Sequence, residues 1–132
     1  MTYHLQIVTP DGRVFDGEAE RLLVPATEGQ MMVLPKHVNF VTTLSMGAAK
    51  VTANGTERHG VCIGGMLAVT DGNVKVLATA FEWADQIDRE RAEASKAKAE
   101  SLLAKSDLDE QTRLEAKARL KRAQLRLSIV GK

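Results

Sequence analysis

The stretch at residues 86–130, QIDRERAEASKAKAESLLAKSDLDEQTRLEAKARLKRAQLRLSIV, contains neither Gly nor Pro and is dominated by Ala, Leu, Lys, Arg and Glu. These residue types lose least on entering a helix, so the whole stretch is expected to be helical. Lys105-Ser106-Asp107 divides it into two helices at 86–104 and 108–128, with Ser106 and Asp109 as a candidate capping pair for the second. So short a link predicts an antiparallel two-helix hairpin. At 100° per residue the second helix carries two opposed apolar stripes. Leu114, Ala118 and Leu125 form one; Ala116, Leu120, Ala123 and Leu127 form the other. A helix facing a single core carries one stripe, so two stripes imply two partners.

Upstream the composition changes. All three prolines (Pro10, Pro25, Pro35) and nine of the ten glycines lie at or before Gly72. Tyr3, Leu5 and Ile7 alternate with His4, Gln6 and Val8, the period of a strand with two distinct faces. Pro10-Asp11-Gly12 turns the chain before Arg13-Val14-Phe15. A strand from Arg21 to Val24 is expected to stop at Pro25, and further strands are expected at 31–34 and 38–44. Asn54-Gly55 and Asp71-Gly72 are two-residue hairpin turns, set between strands that include Lys50-Val51-Thr52 and Leu67-Ala68-Val69. Gly64-Gly65 lacks a phosphate-loop context and reads as a turn or bulge. Turns every ten or so residues without intervening helix predict an antiparallel sandwich. The fold class is therefore α+β: a β-sandwich over 1–84, then a helical hairpin over 85–132. With aromatics at only 4%, the core is expected to be built from Val, Leu, Ile, Met and Ala.

Charge and motifs narrow the function. The 132 residues carry 18 basic and 17 acidic side chains, a net charge of +1, which excludes a chain coated throughout by nucleic acid. No run of apolar residues is long enough to span a bilayer, and a soluble, intracellular chain is expected. Cys62 has no disulfide partner and reads as a buried structural thiol. His4, His37 and His59 lack metal-ligand spacing, and neither a nucleophile constellation nor a carboxylate pair is evident. No active site is expected.

The hairpin is different. From Arg113 to Lys132 there are seven basic residues and one acid, Glu115. Arg91 and Lys98 fall on the side of the first helix that bears Ile87, Ala94 and Leu102, and cations on an apolar surface call for an anion. Arg122 and Arg126, four apart, form a guanidinium pair suited to phosphate or carboxylate. A nucleotide, an RNA or an acidic protein would each fit, and a solvated charged face is the plainer reading. Residues 86–132 hold no Phe, Tyr or Trp on which bases could stack. A nucleic-acid-binding hairpin on a β domain therefore ranks second.

Taken in order, the segments resemble the ε subunit of F-type ATP synthases. The matching residues are Val8-Thr9-Pro10-Asp11-Gly12, Gly17-Glu18-Ala19, Leu34-Pro35 with His37, and Gly64-Gly65-Met66-Leu67-Ala68-Val69. In the hairpin they are Ile87-Asp88-Arg89-Glu90-Arg91-Ala92 and Leu120-Lys121-Arg122-Ala123-Gln124-Leu125-Arg126-Leu127. The resemblance implies a non-catalytic rotor subunit of a proton-translocating enzyme, peripheral to the cytoplasmic face of the bacterial cell membrane. It implies docking on the γ subunit and c-ring, carried over here to Met32, Leu34, Pro35 and His37. It also implies a mobile hairpin that, when extended toward the catalytic α and β subunits, restrains ATP hydrolysis. No cofactor is required, but ATP as a regulatory ligand is implied at Glu82, Ile87, Asp88, Arg91, Ala92, Lys98, Arg122 and Arg126. Lys98 stands where the nucleotide-binding relatives resemble one another in having Arg, and Gln30, Met32 and Lys36 replace the family's usual Glu and glycines.

Overall fold

The computed structural model describes residues 1–35 and 38–132, in two compact units, Met1–Trp83 and Ala84–Lys132. Among the described residues the first unit holds seven strands: β1 (Tyr3–Thr9), β2 (Gly12–Ala19), β3 (Arg21–Ala26), β4 (Gly29–Val33), β5 (Phe40–Ala53), β6 (Thr56–Thr70) and β7 (Asn73–Trp83). They form one sheet in the order β2-β1-β7-β6-β5-β3-β4. The expected turns are present. Asn54-Gly55 and Asp71-Gly72 all have positive φ, and the flanking pairs Ala53↔Thr56 and Thr70↔Asn73 close the two hairpins.

Three expectations need correction. The sheet is not wholly antiparallel, because β1 runs parallel to β7; that pairing joins the first and last strands, which no local turn dictates. Residues 40–44 and 50–52 are not separate strands but the two ends of one, β5. Pro25 does not end β3 either. It stays in register with Gln30 of β4, while on its other side the register to β5 shifts between Leu23 and Ala26. A residue without an N–H is tolerated at such a break, and the Ser45 hydroxyl donates there to the Pro25 and Ala26 carbonyls at 3.2 and 3.3 Å.

The long strands explain how one sheet makes two layers. Inward positions in β5 pass from Phe40 and Leu44 to Ala49 and Val51; in β6 from Gly60 and Cys62 to Leu67 and Val69; in β7 from Val74, Val76 and Ala78 to Phe81 and Trp83. Each strand changes parity beside one registered row, Leu44↔Gly65↔Ala78, along which the sheet folds over. Gly64 and Gly65 supply the positive φ for this bend, as the bulge reading anticipated. One layer is β2, β1 and the near ends of β7, β6 and β5; the other is their far ends with β3 and β4.

The core lies between these layers, and all five aromatic side chains are in it or packed against it. The core is mostly aliphatic, as expected, and the few aromatics join it where the layers meet. Phe15 and Phe81 stand edge-on to Trp83 with ring centroids 6.3 and 5.0 Å away, and the Arg58 guanidinium lies 4.0 Å over the indole. The Tyr3 hydroxyl donates to the Val33 carbonyl at 2.8 Å, tying the first layer to the edge of the second.

Cys62 is fully buried, and burial pushes its thiol up to about 11 from the ordinary 9.0. The unfolded chain therefore loses this proton at lower pH than the folded one, so stability falls as pH rises from 9 to 11. We expect a loss of about 2–3 kcal/mol over that window. Cys62→Ala should flatten the pH 9–10 part of this alkaline limb in urea titrations, measured against the wild-type curve, since from pH 10 upward the Tyr3 hydroxyl, also raised by burial, contributes as well.

The second unit has a 3-10 turn at Ala84–Gln86 and two helices, α1 (Arg89–Leu103) and α2 (Glu110–Ile129). Both start one residue past an aspartate. Asp88 accepts the Arg91 backbone N–H at 3.2 Å and Asp109 that of Thr112 at 3.3 Å. Asp109, not Ser106, is thus the cap of α2, since its carboxylate already serves the free N–H groups of the first turn. The buried helical residues include Ala92, Ala99, Ala116 and Ala123, seven apart on each helix, which lets the two backbones approach closely. Of the two stripes expected on α2, the one with Ala116, Leu120, Ala123 and Leu127 is buried or half-buried, and the other includes exposed Leu114. Among the described residues no helix is long and apolar enough to cross a membrane.

Candidate functional site

The outer face of the first layer carries an apolar stripe. Lys75 and Thr79 are exposed on the outward phase of β7, but Leu77 between them is apolar and 49% exposed. It pairs with Val8 on one side and Met66, 46% exposed, on the other. Val41, 62% exposed on β5, is a diagonal neighbour of Met66, whose direct partner is Thr43. Val8, Leu77, Met66 and Val41 thus cross four strands, and a depression lined by Val8, Thr9, Pro10, Leu77, Ala78 and Thr79 continues the stripe at one end. Large exposed side chains in such continuity mark a surface meant to be covered.

One flank of the stripe is charged. His4 Nε2 lies 2.8 Å from Asp16 Oδ1, Arg13 Nη1 2.8 Å from Asp16 Oδ2, and the Thr2 hydroxyl donates to Glu18 at 3.0 Å. These groups line edge strand β2 and make a polar rim beside the apolar centre, the usual anatomy of a docking surface.

Of the expected docking residues, Met32 and Leu34 are exposed at and after the end of β4, Pro35 is half-buried, and His37 lies outside the described residues. Val8, Val41, Met66 and Leu77 were not anticipated as docking residues. The available signal was Leu77, an apolar residue in an otherwise polar phase of β7. For Met66 that phase is hidden, because the bend at Gly64-Gly65 decides which way it points.

The structure distributes the nucleotide candidates over both units. Glu82 is half-buried on β7, in register with Val61. Ile87, Asp88, Arg91 and Ala92 come together around the start of α1, where Ile87 and Ala92 are buried. Asp88 is engaged as the cap, and among the described residues no ion pair joins its carboxylate to the Arg91 side chain. Arg91 and Lys98 are exposed, as is Ala94; they intrude on no buried surface, contrary to expectation, because the seam of α1 runs through Ala92 and Ala99 instead. Small side chains won that face because they permit the closest helix approach. Arg122 and Arg126 are half-buried on α2, and Arg126 lies in its last turn, where the helix dipole favours a cation. Among the described residues no His, Cys, Asp and Glu cluster could hold a metal.

Comparison with known proteins places both units. Residues 2–84 match the family model of the ATP synthase delta/epsilon chain beta-sandwich domain, and residues 85–131 that of its long alpha-helix domain. The chain belongs to the ATP synthase delta/epsilon chain family. It is similar to the ATP synthase epsilon chain of Bacillus velezensis, 39% identical over 130 residues and covering 98% of each chain. It is also similar to that of Shouchella clausii, 36% identical over 128 residues, 97% of this chain and 94% of that one. Among solved structures it resembles a chain of the Euglena gracilis mitochondrial ATP synthase OSCP/F1/c-ring assembly, with a TM-score of 0.79 at 23% identity over 91% of this chain and 76% of that one. A chain of the Tetrahymena thermophila central stalk and c-ring gives 0.61 at 16% identity over 95% and 93%. These structural likenesses establish the shared fold. As a delta/epsilon chain the protein is a non-catalytic subunit of ATP synthase.

Proposed function

We propose that this epsilon chain is a rotor subunit whose sandwich docks on the γ subunit and c-ring and whose hairpin regulates ATP hydrolysis. The observation that carries the docking reading is the row of exposed Leu77, Met66 and Val41 with half-buried Val8 at its end, on the outer face of the first layer, with Met32 and Leu34 offering further apolar area. Through the complex the chain would sit peripherally at the cytoplasmic face of the cell membrane. A hairpin seamed by alanines buries little apolar area per turn, which suits an element that opens and extends toward the α and β subunits. An enzyme carrying the chain cut after Ala84 should hold the truncated subunit yet hydrolyse ATP faster than the intact one. Equal hydrolysis rates would remove the regulatory reading and leave the docking reading in place.

The same hairpin offers ATP a regulatory site through Arg122 and Arg126, with Arg91 and Lys98 as further cations and the Asp88-capped turn of α1 beside Ile87 and Ala92. Removing one charge-assisted phosphate contact costs about 1.5–3 kcal/mol, so Arg126→Ala should weaken ATP binding about tenfold or more. Titration calorimetry reads this directly. No heat of binding from the wild type at millimolar ATP would dismiss the nucleotide site.

A further inference from the structure

Asp71 is a central residue of the β6–β7 turn, with φ at 50°, just beyond the last ladder pair Thr70↔Asn73. Its backbone N–H therefore points away from the ladder. A residue 32 positions upstream takes it: Asn39 Oδ1 accepts the Asp71 N–H at 2.9 Å. The bond is reciprocated, because Asn39 Nδ2 donates to Asp71 Oδ1 at 3.4 Å. Asn39 immediately precedes β5 and stands between Val38, 74% exposed, and Val41 of the apolar stripe. Across the sheet, the equivalent tie at the other hairpin joins Gly55 N–H to Glu20 Oε1 at 2.8 Å.

We propose that the Asn39–Asp71 pair is a latch that presents the docking surface. By fixing the entry into β5 against the β6–β7 turn, it holds Val38 beside Val41 at the end of the stripe. Asn39 and Asp71 act as positioning residues, and their effect is to spare the partner the ordering of this segment on binding. The proposal rests on the docking reading, and its chemistry is specific: one amide and one carboxylate, each needing the other's opposite character.

The exchange of these two groups is the test. In Asn39→Asp, two carboxylates face each other, so affinity for an ATP synthase complex depleted of its own epsilon chain should fall about three- to tenfold. The swapped variant Asn39→Asp with Asp71→Asn restores one amide and one carboxylate, and Asn tolerates the positive φ. It should bind within about twofold of wild type. Glu20→Ala breaks the equivalent tie on the other layer and controls for general loosening; it should bind as wild type even if its melting temperature falls as far. Failure of the swap to restore binding in a folded chain, or equal weakening by Glu20→Ala, overturns the latch. Wild-type binding by Asn39→Asp alongside weak binding by Met66→Asp overturns the latch alone. Wild-type binding by both overturns the docking reading and the latch with it.

Discussion

Replacing Met66 and Leu77 together by aspartate is expected to abolish assembly of the chain into the stalk while leaving the sandwich folded. Both side chains are about half exposed and are direct cross-strand partners on the outer face. In the free chain the new carboxylates stay hydrated but give up half-buried apolar area and repel each other across the ladder, so the melting temperature should fall by several degrees while the sandwich stays folded. In a covered apolar interface each carboxylate must shed its water without a partner. At about 2 kcal/mol or more apiece, the pair should weaken binding at least several hundredfold. Pull-down or surface-plasmon titration against the depleted complex, beside a thermal melt, separates the two effects. Normal assembly by this variant would mean that the stripe is not the docking surface.

Gly65→Ala should be the most destabilising single methyl added to the sandwich. Gly65 has φ at +126°, and a Cβ there would sit 2.1 Å from the Leu77 carbonyl oxygen and 2.8 Å from the Ala78 Cα. Those atoms belong to the backbone of the paired strand, at the row where the sheet folds over, so they cannot move without opening the ladder. Strain at the positive φ and overpacking together cost about 4 kcal/mol, a large share of the 5–15 kcal/mol that holds a typical domain. The urea midpoint should drop by about 2 M. Gly55→Ala is the comparison. Its φ is also positive, at +72°, but its Cβ would meet nothing within 4 Å, so only the conformational cost of about 1 kcal/mol applies. Similar midpoints for the two variants would show that the bend does not depend on close approach at Gly65.

The contrast between these glycines shows why parts of the fold could be read in advance and parts could not. Asn54-Gly55 and Asp71-Gly72 announce their turns because the required φ is a local property of the residues themselves. Likewise the absence of Gly and Pro from 86–130 announces the helices. The fold-over at Leu44↔Gly65↔Ala78 is a property of three strands at once. Single-strand alternation breaks there, so β5 read as two pieces and Pro25 as a stop. The parallel β1–β7 pairing is non-local in the same way.

The candidate sites divide along similar lines. Arg122 and Arg126 could be recognised by their spacing on one helix. Met66 could not, since its outward direction depends on how the bend sets the phase of β6. The seam of α1 was misplaced by about one residue's rotation. Ile87 and Leu102 suggested one face, but the short methyls of Ala92 and Ala99 win the closer approach to α2.

The most direct test places a photoreactive amino acid at Met66, rebuilds the complex with this variant, irradiates it and maps the cross-linked peptides. One dominant adduct is expected, to the γ subunit of the stalk, and it should disappear when Leu77→Asp is added. Adducts only to a second copy of the chain, or none at all in a complex that holds the chain at full occupancy, would contradict the docking reading.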